Sequence, residues 1–337
     1  MSSGPTTEEI ARDAKWLAQA LDPSAGMVRL VAMDRKSYRA ASFLDDRMMQ
    51  QPVDAQMAPW PQVEAAATEE LRSDARWIFH IGHVGSTLVS RLLGELDNVL
   101  AVREPRILRD LALSPGEVRE SYIAPVPKLM SRTFAADETA CVKATSFASE
   151  IAPELVPAGE RVLFMYATPA NYIASILAGE NSLKELRILA PSREQRLAAR
   201  VPAPSPARND AELAAIAWTC EMTALESAAD AMVDRPIEWA DFDAMLADME
   251  GALARVAAFF GFAADSAQLC AVARGPLMTR YSKALEYDYT PVLRRDLIAQ
   301  AANMHRANID GALAMLDGAA EKSPLLARAL QRSRPET

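Results

Sequence analysis

An apolar run over residues 77–81 leads into a turn of small residues and then into an amphipathic segment that opens on Ser86 and Thr87. A strand that ends in a glycine turn before a helix forms an anion pocket, because unpaired backbone N–H groups and the positive end of the helix dipole converge there. The turn, GHVGST, has two residues between Gly82 and Gly85 and no lysine. ATPase loops instead place four residues between their glycines and continue with Lys-Ser/Thr. The spacing therefore predicts a phosphate or sulfate site that differs from the ATPase form.

A carboxylate and a lysine follow the next two apolar runs. Glu104 comes after the run that starts at Val99, and Lys143 ends the run CVK. A carboxylate at the carboxyl end of a parallel strand points into the crevice where open α/β sheets bind ligands. A lysine on a buried strand is costly without a partner, so Lys143 either faces that crevice or pairs with a carboxylate.

Short apolar runs alternate with longer helical periodicities after residue 75, which is typical of a parallel sheet with crossover helices. We predict strands at 77–81, 99–102, 140–143, 161–166 and 237–239, and helices near 86–96, 116–132, 169–179, 210–231 and 249–260. The predicted fold is α/β, with a phosphate-binding loop and three layers in which helices flank a parallel sheet. Helical additions are expected at both ends.

The chain is expected to divide into three parts. Residues 1–75 form a helical or irregular extension, which begins with a helix over 7–22 that carries Ile10, Ala14, Leu17 and Leu21 on one face. Residues 76–290 form the α/β core, and residues 291–337 form an Ala/Leu-rich helical extension. The segment at 201–208, VPAPSPAR, predicts an exposed linker or lid.

Composition limits the partners and the compartment. Half of the 337 residues are hydrophobic, which is enough for a full core and argues against disorder. With 36 basic and 45 acidic side chains the net charge is -9, so no nucleic-acid partner is expected. Three widely spaced cysteines fit a reducing compartment. The N-terminal residues lack the apolar core of a signal peptide or anchor, so we expect a cytoplasmic protein with no membrane partner.

Two kinds of catalytic centre are not supported by the spacing. The three histidines, His80, His83 and His305, complete no metal-ligand pattern with nearby Cys, Asp or Glu, so no metal is expected. The loop also lacks the Gly-X-Ser-X-Gly elbow of Ser-His-Asp hydrolases.

Four separated segments resemble the sulfotransferase family, in the family's order, over about residues 77–288. They are GHVGST at 82–87, REP at 103–105, CVK at 141–143 and YATPANYIAS at 166–175. The chain looks like a divergent, bacterial-type member. Sulfotransferases move a sulfuryl group from 3′-phosphoadenosine 5′-phosphosulfate to a hydroxyl or amine of an acceptor. The resemblance therefore implies this activity, with that nucleotide as co-substrate and with no metal.

The resemblance also implies roles for individual residues. Backbone N–H groups and hydroxyls of the loop would hold the 5′-phosphate; the residues are Gly82, His83, Val84, Gly85, Ser86, Thr87 and Leu88. His83 and Lys143 would supply positive charge during transfer, and Glu104 would be the general base that takes the acceptor's proton. The alternatives are a polar turn residue for His83 and a salt bridge to Arg103 or Arg106 for Glu104.

Two positions depart from the family. Histidine stands at position 83 in place of lysine or arginine, and it carries charge only when protonated. Ala167 stands where the family has an arginine for the 3′-phosphate, although Ser175 matches the family's serine on the following helix. Either the donor lacks that phosphate, or catalysis is lost, or another cation replaces the arginine, such as Arg280, Lys283 or Arg187. Ser175, Arg280 and Lys283 complete the expected nucleotide-binding set; the alternatives are a helix residue that bonds its own backbone for Ser175 and solvated surface charges for Arg280 and Lys283.

Two other functions remain open. A nucleotide-binding protein of the same fold that no longer transfers anything would fit the alanine at position 167. A P-loop kinase or NTPase fits less well, because the loop has no lysine. The acceptor, a small molecule or a glycan, is not identified by the sequence. The apolar C-terminal helices would suit a homodimer.

Overall fold

The structure, a computed structural model, describes residues 4–202, 206–281 and 288–334. In these ranges the strands are β1 (Trp16–Asp22), β2 (Met27–Ala32), β3 (Ala55–Pro59), β4 (Arg76–His80), β5 (Val99–Arg103), β6 (Thr139–Lys143), β7 (Val162–Tyr166) and β8 (Ile237–Asp241). The first helices are α1 (Thr7–Arg12), α2 (Arg35–Ala40), α3 (Trp60–Ala66), α4 (Ser86–Leu93), α5 (Arg106–Leu113), α6 (Gly116–Ile123), α7 (Val126–Met130), α8 (Ala152–Leu155) and α9 (Pro169–Leu177). The later helices are α10 (Glu180–Ala198), α11 (Asp210–Ala231), α12 (Phe242–Ala247), α13 (Met249–Phe260), α14 (Ser266–Ala273), α15 (Pro291–Met304), α16 (Arg306–Ala320) and α17 (Pro324–Arg332). Short 3-10 helices cover Asp46–Gln50, Ser146–Ile151 and Pro276–Thr279.

A five-stranded parallel sheet forms the centre of the fold, in the order β5-β6-β4-β7-β8. From β4 the chain first builds one side of the sheet with β5 and β6, and then the other side with β7 and β8. The direction in which successive strands are added to the sheet therefore reverses at β4. In open α/β sheets, the crevice at the carboxyl end of such a strand is the place where ligands bind.

Helices cover both faces of this sheet. Strand β4 has three consecutive residues that are fully buried, Trp77, Ile78 and Phe79. Because successive strand side chains point to opposite faces, both faces of the sheet are covered here. Helix α4 packs on β5 and β6, and the long helix α11 packs on β4, α9 and α10. The predicted α/β fold, a parallel sheet flanked by helices, is confirmed. The five predicted core strands lie within two residues of the observed bounds.

The N-terminal part differs from the prediction. The helix expected over 7–22 ends at Arg12, and β1 pairs with β2 in an antiparallel sheet completed by β3. Helix α1 is short but well capped, because the side chains of Thr6 and Glu9 bond each other's backbone N–H groups. Residues 16–19 are all buried, since β1 lies between β2 and helix α5. The spacing that suggested one helix is therefore shared between two elements: Ile10 lies in α1, whereas Leu17 and Leu21 lie in β1.

Other elements refine the prediction. The helix expected over 116–132 is divided into α6 and α7 at Pro125, and the predicted C-terminal helical part contains α15, α16 and α17. In the proposed linker Val201 is buried, and residues 203–205 lie outside the described ranges. None of the helices in the described ranges is long and apolar enough to cross a membrane.

Candidate functional site

The loop that joins β4 to α4 is held in a conformation that favours glycine. Gly82, His83 and Gly85 all have positive φ, at 79, 55 and 60°. A Cβ on Gly85 would overlap the ring of Phe242, so glycine is required there by its conformation and by the close approach. Gly85 is the N-cap residue directly before α4, and no side chain caps the first turn. Backbone N–H groups at this end are thus placed to bind an anion.

Ser86 and Thr87, the first two residues of α4, are both buried, and both line the cavity in front of the loop. Their hydroxyls add donors beside the backbone N–H groups. Val84, between the two glycines, is fully buried in the core. Of the predicted loop residues, Val84 can therefore contribute only its backbone, whereas Leu88 lies at a second cavity described below.

His80 is a site residue to which the sequence analysis gave no role. It is the last residue of β4, and its Nδ1 accepts the N–H of Gly82 at 2.9 Å. In the neutral ring the proton therefore sits on Nε2, which lies 3.6 Å from Oε1 of Glu104. His80 thus connects the loop to the carboxylate at the end of β5. Its strand-end position beside the glycine turn was the available signal.

Glu104 and Lys143 form an ion pair across the ends of β5 and β6. The Lys143 ammonium bonds Oε1 of Glu104, and Arg47 reaches Oε2 at 3.2 Å. The Lys143 side chain is 1% exposed and that of Glu104 14%. The sequence left two alternatives for Lys143, facing the crevice or pairing with a carboxylate. Both hold in the structure, because Lys143 lines the cavity and pairs with Glu104. The salt bridge expected for Glu104 as an alternative involves these residues, not Arg103 or Arg106.

The electrostatics of this pair fix its charge state. Burial alone would raise the pKa of Glu104, but the Lys143 charge and the contact with His80 outweigh burial and hold that pKa well below its usual range. Glu104 also has a φ of 53°, which is rare for a residue with a side chain. Such strain persists only where the surrounding structure enforces it, and it concentrates at functional sites.

These groups line one open cavity of about 620 Å³. Its inner wall contains the predicted residues Gly82, His83, Gly85, Ser86, Thr87, Glu104 and Lys143. Its outer wall comes from three segments that carried no motif: the region of Phe43 and Arg47, the region of Arg106 and Arg109, and one face of α10. His83 reaches α10, where its Nε2 lies 3.7 Å from Oε2 of Glu185.

A second, smaller cavity of about 120 Å³ lies beside the first, and His83 and Gly85 line both. Ser175 and Arg280 line it as well. Ser175 Oγ donates to the carbonyl of Tyr172 at 2.8 Å, and Arg280 pairs with Asp288 at 2.8 Å.

The other proposed replacements for the missing arginine do not join this cavity. Lys283 lies outside the described residues, and Arg187 pairs with Asp210 on α11 at 2.7 Å, away from both cavities. Ala167 is buried, and its carbonyl accepts the indole N–H of Trp218 at 3.0 Å. A cation that sequence reasoning missed, Arg294 of α15, does line the second cavity.

A metal centre has no support in the described ranges, where no group of three or more His, Cys, Asp or Glu side chains is arranged to hold an ion. The hydrogen-bond donors that line both cavities are backbone N–H groups, hydroxyls and cations, and carboxylates line the first cavity as well. Such a set suits an anionic organic ligand.

No protein-family model matches the chain, and no curated protein matches it. Solved structures with some similarity include a mouse sulfotransferase, SULT7A1, complexed with PAP, at TM-score 0.42 and 10% identity, covering 80% of this chain and 95% of that chain. A sulfotransferase domain from the curacin biosynthetic pathway matches at TM-score 0.41 and 11% identity, covering 68% and 96%. A sulfotransferase domain from the Synechococcus PCC 7002 olefin synthase matches at TM-score 0.38 and 14% identity, covering 69% and 94%. All three are sulfotransferases, the family that the sequence resembles; with TM-scores below 0.5 they assign no activity to this chain.

Proposed function

We propose that this chain is a sulfotransferase-like enzyme that transfers a sulfuryl group from 3′-phosphoadenosine 5′-phosphosulfate to a hydroxyl or amine of a small-molecule or glycan acceptor. The observation that carries the proposal is that the glycine loop and the Glu104–Lys143 pair line the same cavity. An anion cradle, a carboxylate and a buried ammonium are the groups that such a transfer needs.

Two features of the loop support nucleotide binding. The first turn of α4 has no side-chain cap, and Ser86 and Thr87, which carry hydroxyls, line the cavity. In the proposal these groups hold the 5′-phosphate, and His83 lies beside the bridging oxygen. A protonated His83 would stabilise the charge that develops on that oxygen as its bond to sulfur breaks.

The transfer itself follows a direct displacement. The acceptor oxygen or nitrogen forms a bond to sulfur while the bond from sulfur to the bridging oxygen breaks, and the electron pair stays on the leaving phosphate. The acceptor's proton passes to the carboxylate of Glu104. Positioning and charge stabilisation supply most of the catalysis in reactions of this kind.

Lys143 explains how a carboxylate with a depressed pKa serves as a base. While Lys143 holds its charge against Glu104, the carboxylate is a weak proton acceptor. An incoming sulfuryl group attracts the same ammonium. As Lys143 shifts toward sulfur, the pKa of Glu104 rises and the proton moves to it from the acceptor.

A second function, nucleotide binding without transfer, is favoured by one observation. Glu104 already has two cationic partners, Lys143 and Arg47. A carboxylate held in this way could be purely structural, and the alanine at position 167 points in the same direction.

Binding and turnover tests separate these functions. Calorimetry with 3′-phosphoadenosine 5′-phosphate and no metal should show micromolar binding, and no heat at millimolar nucleotide would overturn the premise that both functions share. With ³⁵S-labelled donor and a panel of hydroxyl, amine and glycan acceptors, transfer supports the enzyme. Binding without any labelled product supports the second function, and magnesium-dependent ATP turnover would indicate a kinase or NTPase instead.

Two variants test the roles of the pair. Glu104→Gln should reduce transfer at least about a hundredfold while nucleotide affinity changes little, since general bases contribute about 10² to 10⁴ in rate. Glu117→Gln, an exposed change of the same kind on α6, is the matched control and should leave transfer unchanged. Full activity in Glu104→Gln would rule out its role as the base.

A further inference from the structure

We propose that the second cavity binds the nucleoside end of the nucleotide, and that Arg294 supplies there the positive charge for its 3′-phosphate. This inference rests on the proposed function. It assigns the phosphate to a cation on α15, which no sequence motif marks.

The arrangement of the two cavities gives the nucleotide its direction. Both cavities are lined by His83 and Gly85, so they meet at the loop. A phosphate on the loop is therefore accessible from either side. The first cavity contains Glu104 and Lys143 and is open enough for an acceptor. In the proposal, the rest of the nucleotide therefore lies in the second cavity.

The two linings differ in their acidic side chains. The first cavity is lined by six lysine or arginine side chains and by four carboxylates, those of Asp45, Asp46, Glu104 and Glu185. Within the described part of the chain, the second cavity is lined by two arginines and by no carboxylate. Each arginine pairs with an aspartate outside the lining, Arg280 with Asp288 and Arg294 with Asp243, so the wall itself presents cations and no acid to a ligand. Such a wall favours a ligand group that carries negative charge.

Aromatic and apolar side chains form the remaining wall of the second cavity. The rings of Tyr281 and Tyr289 lie 5.3 Å apart, and Phe242, Leu246 and Met278 continue the surface. Flat aromatic surfaces of this kind stack on nucleobases, which contributes about 1–3 kcal/mol per base in nucleic-acid complexes. The wall thus suits the base, and the arginines suit a phosphate on the ribose.

Arg294 is the better placed of the two arginines. Its side chain is 10% exposed, and its guanidinium lies 4.9 Å from the centre of the Phe242 ring. Nε and Nη2 donate to one oxygen of Asp243, at 3.3 and 3.2 Å, and Asn171 donates to the other oxygen of Asp243 at 2.9 Å. Asp243 and Phe242 thus fix the orientation of the guanidinium.

The rest of the guanidinium is open to a ligand. In the described ranges, Nη1 of Arg294 has no hydrogen-bond partner. Arg280, by contrast, is 46% exposed and already paired with Asp288. A buried, oriented guanidinium binds a phosphate more strongly than an exposed one, because water screens it less and less rotamer entropy is lost.

The test compares two nucleotides that differ only in the 3′-phosphate. Calorimetry measures the affinity of wild type and variants for 3′-phosphoadenosine 5′-phosphate and for adenosine 5′-phosphate. Arg294→Gln should lose at least about tenfold in affinity for the first and less than about threefold for the second, since a charged hydrogen bond is lost only with the 3′-phosphate. Arg295→Gln, an exposed change one residue further along α15, should alter neither.

The outcomes distinguish this inference from the function beneath it. If wild type binds neither nucleotide, the proposed function fails. If wild type prefers the 3′-phosphate and Arg294→Gln keeps that preference, the assignment of Arg294 is wrong. Arg294→Lys keeps the charge without the fork and should lose the preference only in part, about threefold. This conservative variant decides the question if circular dichroism shows that Arg294→Gln does not fold.

Discussion

Breaking the ion pair between Glu104 and Lys143 should destabilise the fold in a manner that depends on pH. We consider Lys143→Met, which keeps most of the length of the side chain and removes the charge. The change leaves a carboxylate that is 14% exposed with Arg47 at 3.2 Å as its nearest remaining cation. Removing one partner of a buried pair costs about 3–5 kcal/mol, and the remaining arginine places this case near 3 kcal/mol.

The reciprocal variant, Glu104→Gln, leaves an ammonium that is only 1% exposed, so it should cost at least as much. The double variant carries neither charge. Its cost should therefore fall short of the sum of the single costs by at least about 2 kcal/mol, as expected for residues in direct contact.

The pH dependence follows from the direction of the pKa. In wild type the pKa of Glu104 is lowered by folding, so its contribution to stability is present above the ordinary glutamate pKa and is lost as pH falls toward the folded pKa. Without Lys143, the largest charge that lowers this pKa is gone while burial still raises it, so we expect the pKa of Glu104 to rise above its ordinary value. Protonation then favours the folded variant, so the stability difference between wild type and Lys143→Met should be smaller at pH 5 than at pH 8.

Urea unfolding followed by tryptophan fluorescence measures both effects, since the chain has five tryptophans. The four proteins of the cycle are compared at each pH, with Lys322→Met, a change at an exposed lysine, as the control for loss of a charge. Single effects that add within about 0.5 kcal/mol, together with a Lys143→Met cost that is equal at both pH values, would refute the coupling.

Three further predictions concern other parts of the molecule. Gly85→Ala should cost well over about 1 kcal/mol of stability and abolish nucleotide binding, because the new Cβ would overlap a phenylalanine ring. Gly82→Ala should cost only about 1 kcal/mol, because the space around Gly82 is open. Equal effects of the two changes in urea unfolding and calorimetry would contradict this. Cys270 should be the first cysteine that a thiol reagent modifies in the native protein, because the other two are buried and burial raises the pKa of Cys141 to about 12. Cys270→Ser should therefore remove the fast phase of thiol modification. Arg103→Met should destabilise the fold by about 3 kcal/mol, since the Arg103 guanidinium donates to three carbonyls of the 38–41 segment. A loss of stability below about 1 kcal/mol in urea unfolding would show that those carbonyls find other partners.

The core of the fold was predictable because its strands are covered on both faces. Such strands are short continuous apolar runs, and residues 77–79 or 162–165 stand out for that reason. Helix α10 was missed, since part of its buried face is built from charge. Arg193 and Arg196 pair there with the fully buried Glu221 of α11. A helix that packs through ion pairs shows little apolar periodicity, so the predicted helices include none over this segment.

The inner part of the site could be predicted for a geometric reason. The carboxyl ends of neighbouring parallel strands meet at one edge, so residues that follow β4, β5 and β6 come together whatever else the chain does. The outer part could not. Arg47 and Arg294 reach the cavities from a 3-10 helix near the N-terminus and from α15, and both positions depend on packing between distant segments that have no motif.

Packing also explains why position 167 holds no arginine. The Ala167 side chain is buried, and its carbonyl is bonded to Trp218, the indole of which is fully buried on α11. A guanidinium at this position would have to displace that contact or remain buried without a partner, which is costly in either case. Helix α15 packs on α9, which begins two residues after position 167, and it brings Arg294 to the cavity with Asp243 as a partner. A cation on α15 can thus serve this cavity without being buried unpaired, so the alanine at 167 is compatible with phosphate binding and does not by itself imply that activity has been lost.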